Sequence, residues 1–339
     1  MTAFNPTTRR RFLWTSAIGA GAAGIAASGF RPALAQSFPE RTMDVVIPTR
    51  EGGGADRLYR AFTSVWKEHL GTDFEVGFFP GASGRVGYDV YLKKREANAY
   101  NLLFGNMGPE LAVLAVQDPD YAWHEDFRYF VRLDSDPSVM FVAADSPFQT
   151  VDDVIAAGKE RTLSVGTSRL PHPASIGALL VAEETGAQFN LIPLSGGRNT
   201  ISGVVTGEVD LGVLPLAGVY ASGDAVRVLM IWHDERPALD GISEVPLVNE
   251  HLGTDFPPLV SSRAFAVHSS VIDEYPDRFQ VLQDTARQAA EDPAWPEAAK
   301  EAGQPVEILN YGGLEECDEF ARRMIELAER YKPLLTGEG

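Results

Sequence analysis

The sequence predicts an α/β fold in two lobes joined by two extended segments, with a cleft between the lobes, and three observations predict it. Short apolar runs alternate with amphipathic helical stretches along most of the 339 residues, the pattern of sheets covered by helices. Two extended runs, at residues 139–144 and 264–268, interrupt that alternation, as expected where a chain leaves one lobe and later returns. Three times, finally, a strand runs into a turn of small residues that opens a helix. These are Val45-Val46-Ile47 into Gly52-Gly53-Gly54-Ala55-Asp56, Leu163-Ser164-Val165 into Gly166-Thr167-Ser168, and Leu191-Ile192-Pro193 into Ser195-Gly196-Gly197-Arg198-Asn199-Thr200. A helix start carries unpaired N–H groups and the positive end of the helix dipole, so each such turn can seat an anion.

Taken in order, the first segment is an address. Arg9-Arg10-Arg11-Phe12-Leu13 precedes an Ala- and Gly-rich apolar run, and Ala33-Leu34-Ala35 supplies a cleavage site, the layout of a twin-arginine export signal over residues 1–35. Export to the periplasm is expected, with no membrane insertion once the signal is removed. A Gly-rich run spans poorly, and no later run is long and apolar enough to cross. Next come a strand at 45–47, a helix carrying Leu58, Phe62, Val65, Trp66 and Leu70, a strand at 74–79, a helix at 86–94 and a strand at 101–105. After the first extended run the pattern restarts with a helix at 151–158, a strand at 163–165 and a helix at 174–185. The second extended run leads into a helical tail over 273–335, within which 306–309 reads as a strand added to the first sheet. Lobe 1 is therefore expected to combine 36–142 with 260–339, and lobe 2 to span 143–259, with largely parallel pairing. Clefts between such lobes hold small ligands.

Composition narrows the ligand and the chemistry. Removing the signal takes Lys+Arg from 29 to 25 against 47 Asp+Glu, and the balance from −18 to −22. That excess argues against nucleic acid or anionic lipid as a partner, so an anion would be captured by local dipoles. Cys317 stands alone among acidic residues, which rules out an intrachain disulfide and disfavours a nucleophile. The six histidines have no metal-ligand spacing, and G-x-S-x-G, phosphate-loop and G-x-G-x-x-G signatures are absent from the sequence. No catalysis, cofactor or metal is expected.

The candidate ligand residues lie in the three turns. In the first, Thr49, Arg50, Gly53 and Gly54 suit close approach and a charged hydrogen bond, while Asp56 reads as a pocket residue or a helix cap. Glu51 is either a partner for Arg50 or a selector for an amino group. In the second, Thr167 and Ser168 offer hydroxyls, and His172 is either a donor to a carboxylate or a surface residue between two prolines. In the third, Gly196 and Arg198 face either cleft or solvent. A fourth small-residue turn, Pro80 to Gly87, reads as close packing of its helix on the sheet.

In this order the motifs resemble the substrate-binding receptors of tripartite tricarboxylate transporters, the Bug family. The family's P-x-x-P-G-G-x-x-D is similar to Pro48 through Asp56, its P-G-A-G-G-x-x-G to Pro80 through Gly87, and its D-G-Y-T-L-L to Asn98 through Leu103. Its G-S-S-G-x-G-S turn falls on Gly166 through His172, and its V-P-Y-K-G-x-x-P-A-L…G-x-V-D on Ile192 through Ile201 and Gly207 through Asp210. The resemblance implies a periplasmic-binding-protein-like fold that closes on a small organic carboxylate, with Asp210 among the site residues. It also implies a monomer that delivers the ligand to an ion-driven membrane permease; a receptor that reports to a sensor, and an exported enzyme using Ser168, His172 and Asp56 or Asp210, are the alternatives. Arg50-Glu51, Arg169-Leu170-Pro171-His172 and Ser195 depart from the family pattern, which implies a more charged pocket.

Overall fold

The computed structural model describes residues 38–117 and 119–337, so the expected export signal and its arginines lie outside the described residues. Strand β1 (Met43–Ile47) begins the first sheet, and its alternation divides the core. Met43, Val45 and Ile47 pack on one face under helix α1 (Gly54–Leu70), whereas Val46 packs on the other. Helix α1 forms because Leu58, Phe62, Val65 and Trp66 recur at helical spacing and are buried. It stops at Gly71, whose φ of 78° is the left-handed end that glycine supplies. Strands β2 (Phe74–Phe78) and β3 (Asn101–Asn106) flank β1 and run parallel to it. Helix α2 (Arg85–Lys94) joins them, and α3 (Met107–Gln117) follows β3.

Strand β4 (Phe127–Asp134) belongs to the first sheet and β5 (Asp136–Ala143) to the second, with Ser135 alone between them. The second sheet grows through α4 (Val151–Glu160), β6 (Leu163–Thr167), α5 (Pro173–Thr185), β7 (Phe189–Pro193), α6 (Gly197–Val205) and β8 (Leu211–Pro215). Short α7 (Leu216–Tyr220), β9 (Val226–Trp232) and α8 (Val248–Leu252) complete it. Strands β7 and β8 run parallel to β6, while β5 is antiparallel to β8 and β9. Strand β10 (Val260–Ser261) pairs with the start of β5 and, after Ser262, β11 (Arg263–His268) lies back in the first sheet between β3 and β4.

The tail supplies α9 (Ser269–Glu274), α10 (Pro276–Glu291), α11 (Ala294–Glu301), β12 (Leu309–Gly312), α12 (Leu314–Arg330) and α13 (Lys332–Thr336). Helices α10 and α11 pack beside α1, and Phe62, Trp66, Phe104 and Phe265 fill the space beneath, with ring centroids 4.5 Å apart for Phe104–Phe265 and 5.0 Å for Trp66–Phe265. Rings of this size dominate the burial energy of a core.

Three details differ from the sequence expectation. Pairing is mixed: β4, β5, β10 and β11, the strands on either side of the two sheet-to-sheet crossings, run antiparallel to their neighbours. The expected tail strand at 306–309 is a tight turn at 306–308, with the strand itself at Leu309–Gly312 on the edge beside β4. The extended run at 139–144 lies inside the second sheet, and the sheet-to-sheet crossings fall at Ser135 and Ser262.

Candidate functional site

The three anion-seat turns and the fourth small-residue turn all follow the C-terminal ends of the parallel strands β1, β2, β6 and β7. In open α/β sheets that end is where ligands collect. Here the turns line one cleft of about 1470 Å³. The first contributes Thr49, Arg50, Gly53 and Gly54, the second Ser168 and Arg169, the third Ser195, Gly196 and Arg198, and the fourth Ser83 and Gly84. Asp136, Ser261, Arg263 and Gln304, from the two crossings and the tail, also line it.

The backbone in these turns is shaped closely. Ala82, Ser83 and Ser195 hold left-handed φ of 44°, 57° and 57°, which side-chain-bearing residues adopt at a cost of about 1–3 kcal/mol. Gly196, the cap of α6, holds φ 118° and has no side-chain capping bond. At α1 the capping residue is Gly53, again with no side-chain cap. Gly87 explains the fourth turn's helix: a Cβ there would lie 2.5 Å from the Pro48 side chain, so α2 rests directly against the first turn.

The structure brings Thr49, Arg50, Gly53, Gly54, Ser168, Gly196 and Arg198 together on the cleft. The hydroxyl of Thr49 is buried without a hydrogen-bond partner among the described residues. The other expected site residues do not line the cleft. Asp56 accepts from the Gly52 N–H at 2.8 Å and from Arg60 at 2.7 Å, so it braces the first turn. Thr167 is buried and its hydroxyl lies 2.8 Å from that of Ser175, tying the second turn to α5. His172 is buried rather than on the surface; its Nδ1 accepts from the Ala174 N–H at 3.0 Å and caps α5. Burial, with the Arg169 charge nearby, holds its pKa down at about 3, so the ring is neutral. Asp210 sits at the opposite end of the sheet, bonded to Ser164 and Arg161 at 2.7 Å. Burial pushes its pKa up, but those hydrogen bonds outweigh it and hold the carboxyl at about 2. Glu51 pairs with Arg60 at 3.1 Å, not with Arg50.

Charge in the cleft opposes charge on the chain. Arg50, Arg57, Arg169 and Arg198 line it, and among the described residues none of them makes an ion pair. Among the described residues Asp136 is the one acid in the lining, and it is paired with Arg263 at 3.2 Å. Arg263 also pairs with Asp134, so one buried cation ties the two sheet crossings together. Burial pushes Asp134 up to about 7 against the pull of Arg263. Sequence reasoning missed this triad, and it missed Glu110, a buried acid on α3 that accepts from the Tyr88 hydroxyl at 2.9 Å. Its position in an otherwise apolar helix, Met107-Gly108-Pro109-Glu110-Leu111-Ala112-Val113, was the available signal. Among the described residues no cluster of three or more His, Cys, Asp or Glu could hold a metal ion. Cys317 is buried, and burial pushes its thiol up to about 12.

A family model described as "Tripartite tricarboxylate transporter family receptor" matches residues 59–316. Protein BugT of Bordetella pertussis is 27% identical over 251 residues, covering 72% of this chain and 74% of that protein. A TctC solute-binding protein from Polaromonas superposes with a TM-score of 0.70 at 25% identity, over 88% of this chain and 99% of that one. An R. palustris protein solved with adipate superposes with a TM-score of 0.70 at 20% identity, over 88% of this chain and 98% of that one.

Proposed function

The chain belongs to the tripartite tricarboxylate transporter receptor family, and from that premise we propose that it captures a small organic carboxylate in the periplasm and delivers it to a membrane permease. The observation that carries the carboxylate is the set of four arginines, unpaired among the described residues, around one cleft in a chain whose formal charge is −18. Like charges gathered in this way repel each other until an anion joins them. Helix starts at Gly53 and Gly196, without side-chain caps, add backbone donors to the same space. The adipate bound by the R. palustris protein is a ligand of the class proposed.

Binding without turnover fits the side chains. His172, the best-placed acid-base candidate in the second turn, is neutral and its Nδ1 is taken up by the Ala174 N–H. Capture would proceed by the two sheets and their helices closing over the cleft about Ser135 and Ser262, as hinged lobes close on ligands. Export by the twin-arginine route and a monomeric state complete the reading.

Thermal melting against a panel of mono-, di- and tricarboxylates tests it. A ligand at 100 times its Kd stabilises the native state by about 2.7 kcal/mol, several degrees in melting temperature for a chain of this size. A panel that leaves the melting temperature of ligand-stripped protein unmoved would overturn the proposal.

A further inference from the structure

The four cleft arginines without a carboxylate partner among the described residues are not equivalent. Arg50, Arg57 and Arg198 are exposed, where water and salt screen a charge. Arg169 is set into the wall: one Nη donates to the Ser83 carbonyl at 3.0 Å, and no carboxylate pairs with it among the described residues. Ser83 belongs to the turn before α2 and Arg169 to the turn before α5, so this bond spans the cleft from the second sheet's side to the first's. At the residue after Ser83, a Cβ on Gly84 would lie 3.4 Å from the Glu110 side chain, so Glu110 packs against the fourth turn. Burial disfavours the Arg169 charge, and Glu110, which makes no ion pair with it among the described residues, attracts the guanidinium when ionised.

We propose that Arg169, held against Ser83 beside the turn that Glu110 packs against, is the residue by which this cleft distinguishes a ligand with two negative charges from one with a single carboxylate. The inference rests on the reading of the cleft as a carboxylate site. Backbone seats at helix starts carry about half a charge and serve any carboxylate. A guanidinium carries a whole charge in a fork that fits a carboxylate, and set into the wall it is screened less than one in water. Glu110 tempers that pull when ionised. The groups facing Glu110 are Tyr88 from α2, Tyr129 from β4, Asn106 at the end of β3 and Arg169 from the turn before α5, with His172 beside Arg169. Burial drives both tyrosines upward and holds His172 neutral, whereas it lifts Glu110 to about 7. Of these groups, Glu110 is the one that changes charge near neutrality.

Isothermal titration calorimetry at pH 7 with straight-chain dicarboxylates from malonate to suberate, and with monocarboxylates of the same carbon numbers, tests the assignment. The wild-type protein should favour some dicarboxylate over its monocarboxylate counterpart by about 10-fold or more. Arg169→Gln should reduce that preference to within about 3-fold while monocarboxylate affinity holds, the scale of a lost charged hydrogen bond. Glu110→Gln should widen the preference and flatten its variation between pH 6 and 8; in the wild-type protein the preference should grow as pH falls. A wild-type protein without the preference, an Arg169→Gln protein that keeps it, or one that loses both classes equally would each overturn the inference. If Arg169→Gln does not fold, Glu110→Gln decides, and an unchanged preference in that variant overturns it. If no carboxylate binds the wild-type protein, the carboxylate reading itself falls, a result distinct from all of these.

Discussion

Arg198 and Glu110 mark the two ways a residue acts on this cleft, one from the rim and one from within the wall. Arg198 is exposed at the start of α6 and lines the cleft. Arg198→Ala should weaken a carboxylate ligand by about 1–3 kcal/mol, the range for a hydrogen bond to a charged group, and titration calorimetry reads it directly. Glu110 acts through protonation. Its folded pKa of about 7 lies above the ordinary value of 4.5 because burial disfavours its charge. A raised pKa means the folded state binds the proton more tightly, so this stabilising term is complete below about pH 4.5 and lost as pH rises through 7. Glu110→Gln removes the titration. Its melting temperature relative to wild type should therefore be higher at pH 8 than at pH 5, by a free energy of up to about 3 kcal/mol. Arg198 was legible because it stands beside two glycines at a helix start. Glu110 was not, because nothing in a sequence says that an acid in an apolar helix lies behind a turn 26 residues earlier.

At the level of elements, the caps decide where the strands hand over to helices. Helix α5 begins at Pro173, with His172 as its cap and Gly186 ending it at φ 75°. His172→Ala should cost about 0.5–2 kcal/mol of stability, typical for loss of a side-chain cap, seen as a lower denaturant midpoint. Ligand affinity should change less than in Arg198→Ala, because His172 holds the turn and does not line the cleft. Helix α1 and strands β1 and β3 were readable from period and turn residues, since each buries a regular face. Strand β4 went unread despite its Phe127-Arg128-Tyr129-Phe130-Val131-Arg132 pattern. Strand β12 came three residues late, because pairing with β4, and not local preference, fixes an edge strand.

Across the whole molecule, one ion triad joins the two sheet crossings. Arg263 on β11 pairs with Asp134, which ends β4, and Asp136, which begins β5, and all three are buried. Arg263→Ala would leave two carboxylates buried without their cation, at a cost of about 3–5 kcal/mol. A fall in the urea midpoint of that size, checked by circular dichroism, is the expected outcome. Placing the cations has the opposite logic in the cleft. There Arg50, Arg57, Arg169 and Arg198 stand without carboxylate partners among the described residues, a like-charge arrangement that favours an anion.

The sequence by itself determined the α/β class, the strand-turn-helix units, the glycines at helix starts and, through its motifs, the family. All of these are local: period, caps and turn chemistry act within a few residues of one another. The tertiary structure alone decided which turn residues face the cleft and which brace it, so that Asp56, Thr167, His172 and Asp210 are taken up by the fold. It also set Arg169 against Ser83, next to the turn that Glu110 supports, and Arg263 between two aspartates. Those contacts join segments far apart in the chain, and a charge's partner and its dielectric surroundings exist only once the two sheets have packed.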